Sequence, residues 1–178
     1  MGEKRTVRLV VGLRAEDPSA VTALATLKSQ MPEECPRKLE RYDLWEFELD
    51  GGGADTVREI AGRYVDIVNP NKNVHFVLDG ESVPPSSQGL DTVWVAVSNV
   101  DDSDSLTWSK ILRSVGYPLV MVRRSVLWGL CYPSPMRSDL SRARALAVAR
   151  AVSRSRGLLG NPVSQRIEVL SDAGSPED

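Results

Sequence analysis

Three observations predict an α+β fold of two tandem βαββαβ-type units, with antiparallel sheets packed as a pseudo-dimer. The order of strand-like and helix-like segments occurs twice along the chain. Matching segments recur at similar spacing: Val11 and Val95 are 84 apart, Leu44-Trp45 and Leu127-Trp128 are 83 apart, and Asn69-Pro70 and Asn161-Pro162 are 92 apart, as are Leu78 and Leu170. The run from Asp79 to Gly89 has no periodicity and is rich in Pro and Ser, so it reads as a linker. These set the first unit at 1–80, the linker at 81–90, the second unit at 91–170, and a polar tail at 171–178 that is expected to be disordered. Each half offers a sheet with one bare apolar face, and two halves in one chain can cover each other.

The elements follow in order. Residues 7–13 are rich in β-branched side chains and suit a buried strand. Ser19 is placed to cap a helix with Val21, Leu24, Leu27 and Met31 on one face. Residues 39–49 read as a strand or hairpin, and Gly51-Gly52-Gly53 as a turn. Asp55 begins a helix carrying Val57, Ile60, Ala61, Tyr64 and Val65, which Asn69-Pro70 stops. Residues 74–78 close the first half. In the second, 93–97 is a strand, and Asp101-Asp102-Ser103-Asp104 opens a helix through Leu106, Trp108, Ile111, Leu112 and Val115. Residues 119–122 and 125–130 are strand material that Pro133 and Pro135 break. Ser138 or Asp139 caps a long helix to about Arg156, Asn161-Pro162 forms a turn, and 167–170 closes the unit.

Composition narrows the function classes. The 178 residues are 42% apolar and 26% charged, which excludes wholesale disorder and a collagen-like chain. No stretch approaches the roughly 18 uncharged apolar residues of a membrane span, and the opening residues have no apolar leader core, so a cytoplasmic location with no membrane role is expected. With 22 basic against 24 acidic residues, net charge gives no general reason to bind nucleic acid. Cys35 and Cys131 form no CxxC pair and read as free thiols of a reducing compartment. With one histidine they are too few for a closed zinc shell.

Few residues offer chemistry. Asp101, Asp102 and Asp104 suit the positive end of a helix dipole better than a divalent cation, since no EF-hand spacing follows. His75 sits in a β pattern with no nucleophile signature elsewhere and reads as a surface strand residue. The triple glycine lacks the Gly-Lys-Ser/Thr of a phosphate loop. Trp94, Trp108 and Trp128 read as core. No catalytic residue, metal site or cofactor is therefore expected. Charge is polarised: residues 1–85 carry a net −4 and residues 86–178 a net +2. Arginines 137, 142, 144, 150, 154 and 156 share one segment with a single acid, Asp139. A solvated helix face is the first reading, an acidic protein partner the second, and RNA or phosphate the third.

The second half also carries Asp101-Asp102-Ser103-Asp104, Ser114-Val115-Gly116-Tyr117, Val122-Arg123 and Leu158-Leu159-Gly160-Asn161-Pro162-Val163, in that order. This series resembles the PurS family, the small subunit of phosphoribosylformylglycinamidine synthase. The first half is similar more faintly, keeping Asp66-Ile67-Val68-Asn69-Pro70, so the resemblance spans about residues 6–79 and 91–170. It implies a ferredoxin-like fold and a non-catalytic assembly subunit that dimerises. Such a subunit bridges a glutaminase and an ATP-dependent synthetase that make formylglycinamidine ribonucleotide for purine biosynthesis. A tandem copy would be a covalently linked dimer, with Arg123, Arg124, Asn69, Pro70, Asn161, Pro162, Arg142 and Arg150 as candidates for partner contact. The family's Gly-Lys pair and acidic residue after Val-Arg are replaced by Ser125, Val126 and Gly129 in one half and by Tyr42, Asp43 and Glu46 in the other. The alternative is a ferredoxin-like module that binds a ligand or a protein in a regulatory role outside purine synthesis.

Overall fold

Ten elements follow in chain order in the computed structural model, which describes residues 3–80, 82–86, 89–153 and 156–170. They are β1 (Lys4–Leu13), α1 (Pro18–Gln30), β2 (Lys38–Asp50), α2 (Ala54–Arg63), β3 (Asn73–Asp79), β4 (Leu90–Asn99), α3 (Ser103–Ser114), β5 (Leu119–Pro133), α4 (Ser138–Ala149) and β6 (Gln165–Leu170). The result is an α+β fold with four helices and one six-stranded antiparallel sheet, ordered β3-β1-β2-β5-β4-β6. The tail at 171–178, part of the 81–90 run and Arg154 lie outside the described residues. Among the described residues, no helix is long and apolar enough to cross a membrane.

Each set of five elements runs βαβαβ, with three strands where the sequence pattern predicts four. The difference lies in β2 and β5, single strands of 13 and 15 residues. The alternation of β2 is unbroken, with Leu39, Trp45, Phe47 and Leu49 buried on one side, and β5 runs on as one strand through a register shift opposite Glu48 and Leu49. The halves also do not stack face to face. They join edge to edge, β2 against β5 from Lys38↔Cys131 to Leu49↔Leu119. Edge pairing satisfies the N–H and C=O groups that the two long strands turn toward each other, which stacked sheets would leave open.

The ladders match. Leu9 faces Trp45 in one half and Val95 faces Trp128 in the other. Val10 faces Phe76, and Ala96 faces Glu168. Val95 therefore stands where Leu9 does, two residues away from the Val11 that the sequence spacing pairs with it. Both Asn-Pro turns are built alike. The Asn69 side-chain oxygen accepts from Asn71 N–H and the Asn73 side chain accepts from Asn69 N–H. Asn161 and Gln165 repeat this with Val163.

All four helices cover one face. Val57, Ile60 and Ala61 of α2 and Leu112 of α3 pack on Val7, Leu9, Trp45, Phe47 and Val122. Ala20 and Leu27 of α1 and Ala145, Val148 and Ala149 of α4 pack on Val95, Val97, Trp128 and Leu130. Each core thus draws on both halves of the chain. On the other face Val10, Leu44, Trp94 and Leu127 are buried without a helix above them. Val83 packs against that cluster, and Arg8 Nη1 donates to the Ser82 carbonyl at 3.1 Å.

Four helix boundaries differ from expectation. Helix α2 ends at Arg63, with Tyr64 already extended as its cap and Val65 exposed beyond it, well before Asn69-Pro70. Asp17, and not Ser19, caps α1: its Oδ1 accepts from Ser19 N–H at 2.8 Å and Ala20 N–H at 3.3 Å, with Pro18 preset for the first turn. Arg137, rather than Ser138 or Asp139, precedes α4, and α4 ends at Ala149 instead of near Arg156. The chain turns back there so that Leu158 N–H meets the Val148 carbonyl and Gly160 N–H the Ala149 carbonyl. Gly157 permits the reversal: at φ +77° an added Cβ would lie 1.5 Å from the Arg150 carbonyl oxygen.

Candidate functional site: a polar centre and its flanking clefts

Where β2 and β5 cross the middle of the sheet, the helix-covered face turns polar. Arg41, Asp43 and Trp45 alternate onto it from β2, opposite Trp128, Val126 and Arg124 of β5. Arg41 reaches Asp17 at 3.3 Å and Asp43 at 3.7 Å, and its guanidinium lies 5.9 Å from the Trp128 ring. Arg124 reaches Asp43 at 3.5 Å and Asp104 at 3.9 Å, and lies 5.1 Å from the Trp45 ring. The two arginines are thus set alike about the Asp43↔Val126 pair, each on a helix-capping turn and on a tryptophan of the opposite strand. Cation–π contact adds of order 0.5–1 kcal/mol at such half-exposed positions.

On either side of this centre a strand outruns its neighbour. The β4–β5 ladder stops at Val97↔Val126, so residues 119–125 of β5 have no strand partner on that side. Helix α3 closes the gap. Ser105 Oγ accepts from Arg124 N–H at 2.9 Å, and Ser109 Oγ accepts from Val122 N–H at 2.9 Å. Asp102 caps the helix through Ser105 N–H at 3.1 Å. A cavity of about 500 Å³ opens beside it, lined by Arg123, Arg124, Arg166, Glu46, Glu168 and Leu106 among others. In the first half the β1–β2 ladder stops at Val11↔Asp43, and β2 runs on to Lys38 beside a cavity of about 260 Å³.

The uncovered face differs between halves. Arg8 pairs with Glu46 at 3.0 Å, where the second half places Trp94 against Gly129. Trp94 lies so close to Gly129 that an added Cβ would meet its ring at 2.7 Å, and Tyr42 lies over Gly12 in the same way. Burial, helped by the nearby Glu40 carboxylate, raises the Tyr42 hydroxyl to about 12. Burial also raises both thiols, Cys35 and Cys131, so neither is poised as a thiolate.

The partner-contact candidates spread over the molecule. Arg123 and Arg124 line the same cavity from opposite sides of β5, Arg123 exposed and Arg124 held by its acids. Arg150 and Pro162 line a second cavity with Arg166 at the β6 edge. Asn161 orders the turn there. Asn69 and Pro70 lie by the opposite edge strand, β3, where the Pro70 carbonyl accepts from Arg14. Arg142 lines a cleft with Val83 and Pro84. These residues do not form a single patch. His75 is exposed on β3. Trp94 and Trp128 are buried, and Trp108 packs edge-on against Trp45 and Tyr64. Arg41, Ser105, Ser109 and Arg166 belong to the site without standing in any motif of the sequence. The 83-residue step from Arg41 to Arg124 is a signal for the first of them. Among the described residues, no three His, Cys, Asp or Glu side chains are grouped to hold a metal ion. Comparison with models of protein families, with curated proteins and with solved structures found no match.

Proposed function

We propose that the chain is a tandem duplication, two copies of one module fused as a pseudo-dimer, and that it works as a non-catalytic assembly subunit in the cytoplasm. The observation that carries this reading is the β2–β5 ladder. Arg41↔Trp128 and Trp45↔Arg124 are the same residue pair met from opposite ends, with Asp43↔Val126 between them. The matching outer ladders and Asn-Pro turns support it further. On the resemblance to PurS, the partners are a glutaminase and an ATP-dependent synthetase, and the subunit holds them so that ammonia passes between their sites in formylglycinamidine ribonucleotide synthesis. On this reading Arg123, Arg142 and Arg150, exposed at three separate places on the molecule, are candidates for contact with such partners, and self-association is part of the same proposal.

The positions where this chain departs from the PurS pattern sharpen the test. Tyr42, Glu46, Ser125 and Gly129 face the uncovered side of the sheet, in the register of Leu44 and Leu127, and Asp43 and Val126 face the helix-covered side. The full chain, co-expressed with the two partner subunits, is expected to co-purify with them when ATP and glutamine are present. Failure to form a complex, with or without nucleotide and glutamine, removes the purine role. The cavity of about 500 Å³ with Arg123 and Arg166 favours the second reading, a ligand-binding regulatory module. A rise in melting temperature with a small anionic ligand, without complex formation, would select it.

A further inference from the structure

The two halves treat the same gap differently, and the difference leaves a site in the first. Ser105 and Ser109 of α3 seal the free edge of β5 by accepting from Arg124 and Val122 N–H. Asp17 and Asp102 are the matching caps of α1 and α3, so the residues of α1 at the same distance from the cap are Ala20 and Leu24. Neither has a hydroxyl to offer. The N–H groups of Val122 and Arg124 point away from β2, so those of their partners Phe47 and Trp45 point away from β5. The same alternation directs the N–H and C=O of Leu39 and Arg41 into the cleft between α1 and β2, beyond the last β1 partner at Val11.

We propose that this cleft takes an extended segment of a partner protein, paired with the β2 edge at Leu39 and Arg41 and carrying an apolar residue flanked by basic ones. Strand addition supplies main-chain hydrogen bonds, and pockets for alternate side chains give the selectivity. The pocket is present: Leu13 and Val21 stand 41% and 44% exposed at the mouth, and Ala20 and Leu24 form the wall. Charge favours a basic segment. Arg41 is taken up by Asp17 and Asp43 and Lys38 by Glu40, while Glu16 stands exposed on the rim with no ion pair among the described residues. The proposal does not depend on the purine role.

The test uses the full chain and a labelled peptide, acetyl-Lys-Val-Lys-Val-Lys amide. In the free protein the amides of Leu39 and Arg41 should exchange with solvent at least about tenfold faster than those of Val122 and Arg124. Peptide binding, followed by fluorescence anisotropy, should saturate and slow exchange at Leu39 and Arg41. Val21→Ser and Glu16→Lys change exposed side chains and should leave the fold intact while weakening binding about tenfold or more, an effect of the order expected for losing one anchor or one charge pair. Ala20→Ser, which supplies the hydroxyl found at Ser105, should slow exchange at Arg41 without peptide. The proposal is overturned if the peptide does not bind, if the variants bind it equally, or if Leu39 and Arg41 are already as protected as Val122 and Arg124. Protection that rises with protein concentration alone would place a second copy in the cleft and overturn it too.

Discussion

Asp17 holds two things at once: the first turn of α1, through Ser19 and Ala20 N–H, and the Arg41 guanidinium. Its side chain is only 10% exposed, so its removal leaves a partly buried arginine with Asp43 alone. Asp17→Ala should cost about 1–2 kcal/mol, from the cap and the weakened pair together. Asp102→Ala, whose carboxylate meets α3 only, should cost about 1 kcal/mol. Urea melts of both variants check the order. Tyr42 gives a prediction in pH. Its hydroxyl is raised to about 12 in the folded chain against roughly 10 when unfolded. The folded state therefore holds the proton more tightly. This stability is fully present below about pH 10 and is lost as pH rises through about 12, with buried Tyr132 shifted in the same direction. Urea melts across that range, with tyrosinate absorbance as the second readout, should show the fall, and Tyr42→Phe should reduce it.

At the scale of elements, α3 is held by two buried serines as well as by Leu112 and Trp108. Leu106, at 63% exposed, looks like core in the sequence and is not. Ser105, Ser109 and Leu112 form the inward stripe instead. Ser109→Ala would strand the Val122 N–H in a buried gap and should cost about 1–3 kcal/mol, read by thermal or urea unfolding. Here the limits of reading a sequence have a physical form. Strand existence, the Asn-Pro turns and the Asp-rich cap of α3 are legible because alternation, proline and short acidic side chains act locally. The register is not. Val11 and Val95 look equivalent within valine-rich runs, and only cross-strand pairing aligns Val95 with Leu9. The cap of α1 misleads because Ser19 is a good cap in isolation, whereas Pro18 at the first helical position marks Asp17. The end of α4 misleads because arginine and alanine favour helix, and the tertiary return of Leu158 and Gly160 overrides them.

At the scale of the molecule, the centre of the helix-covered face is alike in both halves and the uncovered face is not. The Arg41 and Arg124 sites match, while Arg8–Glu46 in one half corresponds to Trp94–Gly129 in the other, and Tyr42 to Ser125. The candidate site is accordingly half legible: Arg123 and Arg124 stand out by motif, but the cleft at Leu39 depends on where one ladder stops, which no local pattern encodes. A face that carries both cores is held by packing, and a face free of helices is free to change its chemistry. The proposed duplication and fusion require the two halves to meet about Asp43 and Val126. Short Hα–Hα contacts mark the non-hydrogen-bonded pairs of an antiparallel ladder. Nuclear Overhauser spectroscopy of the full chain should therefore show them at Arg41–Trp128, Asp43–Val126 and Trp45–Arg124. Contacts at a shifted register, or none between β2 and β5, would contradict it.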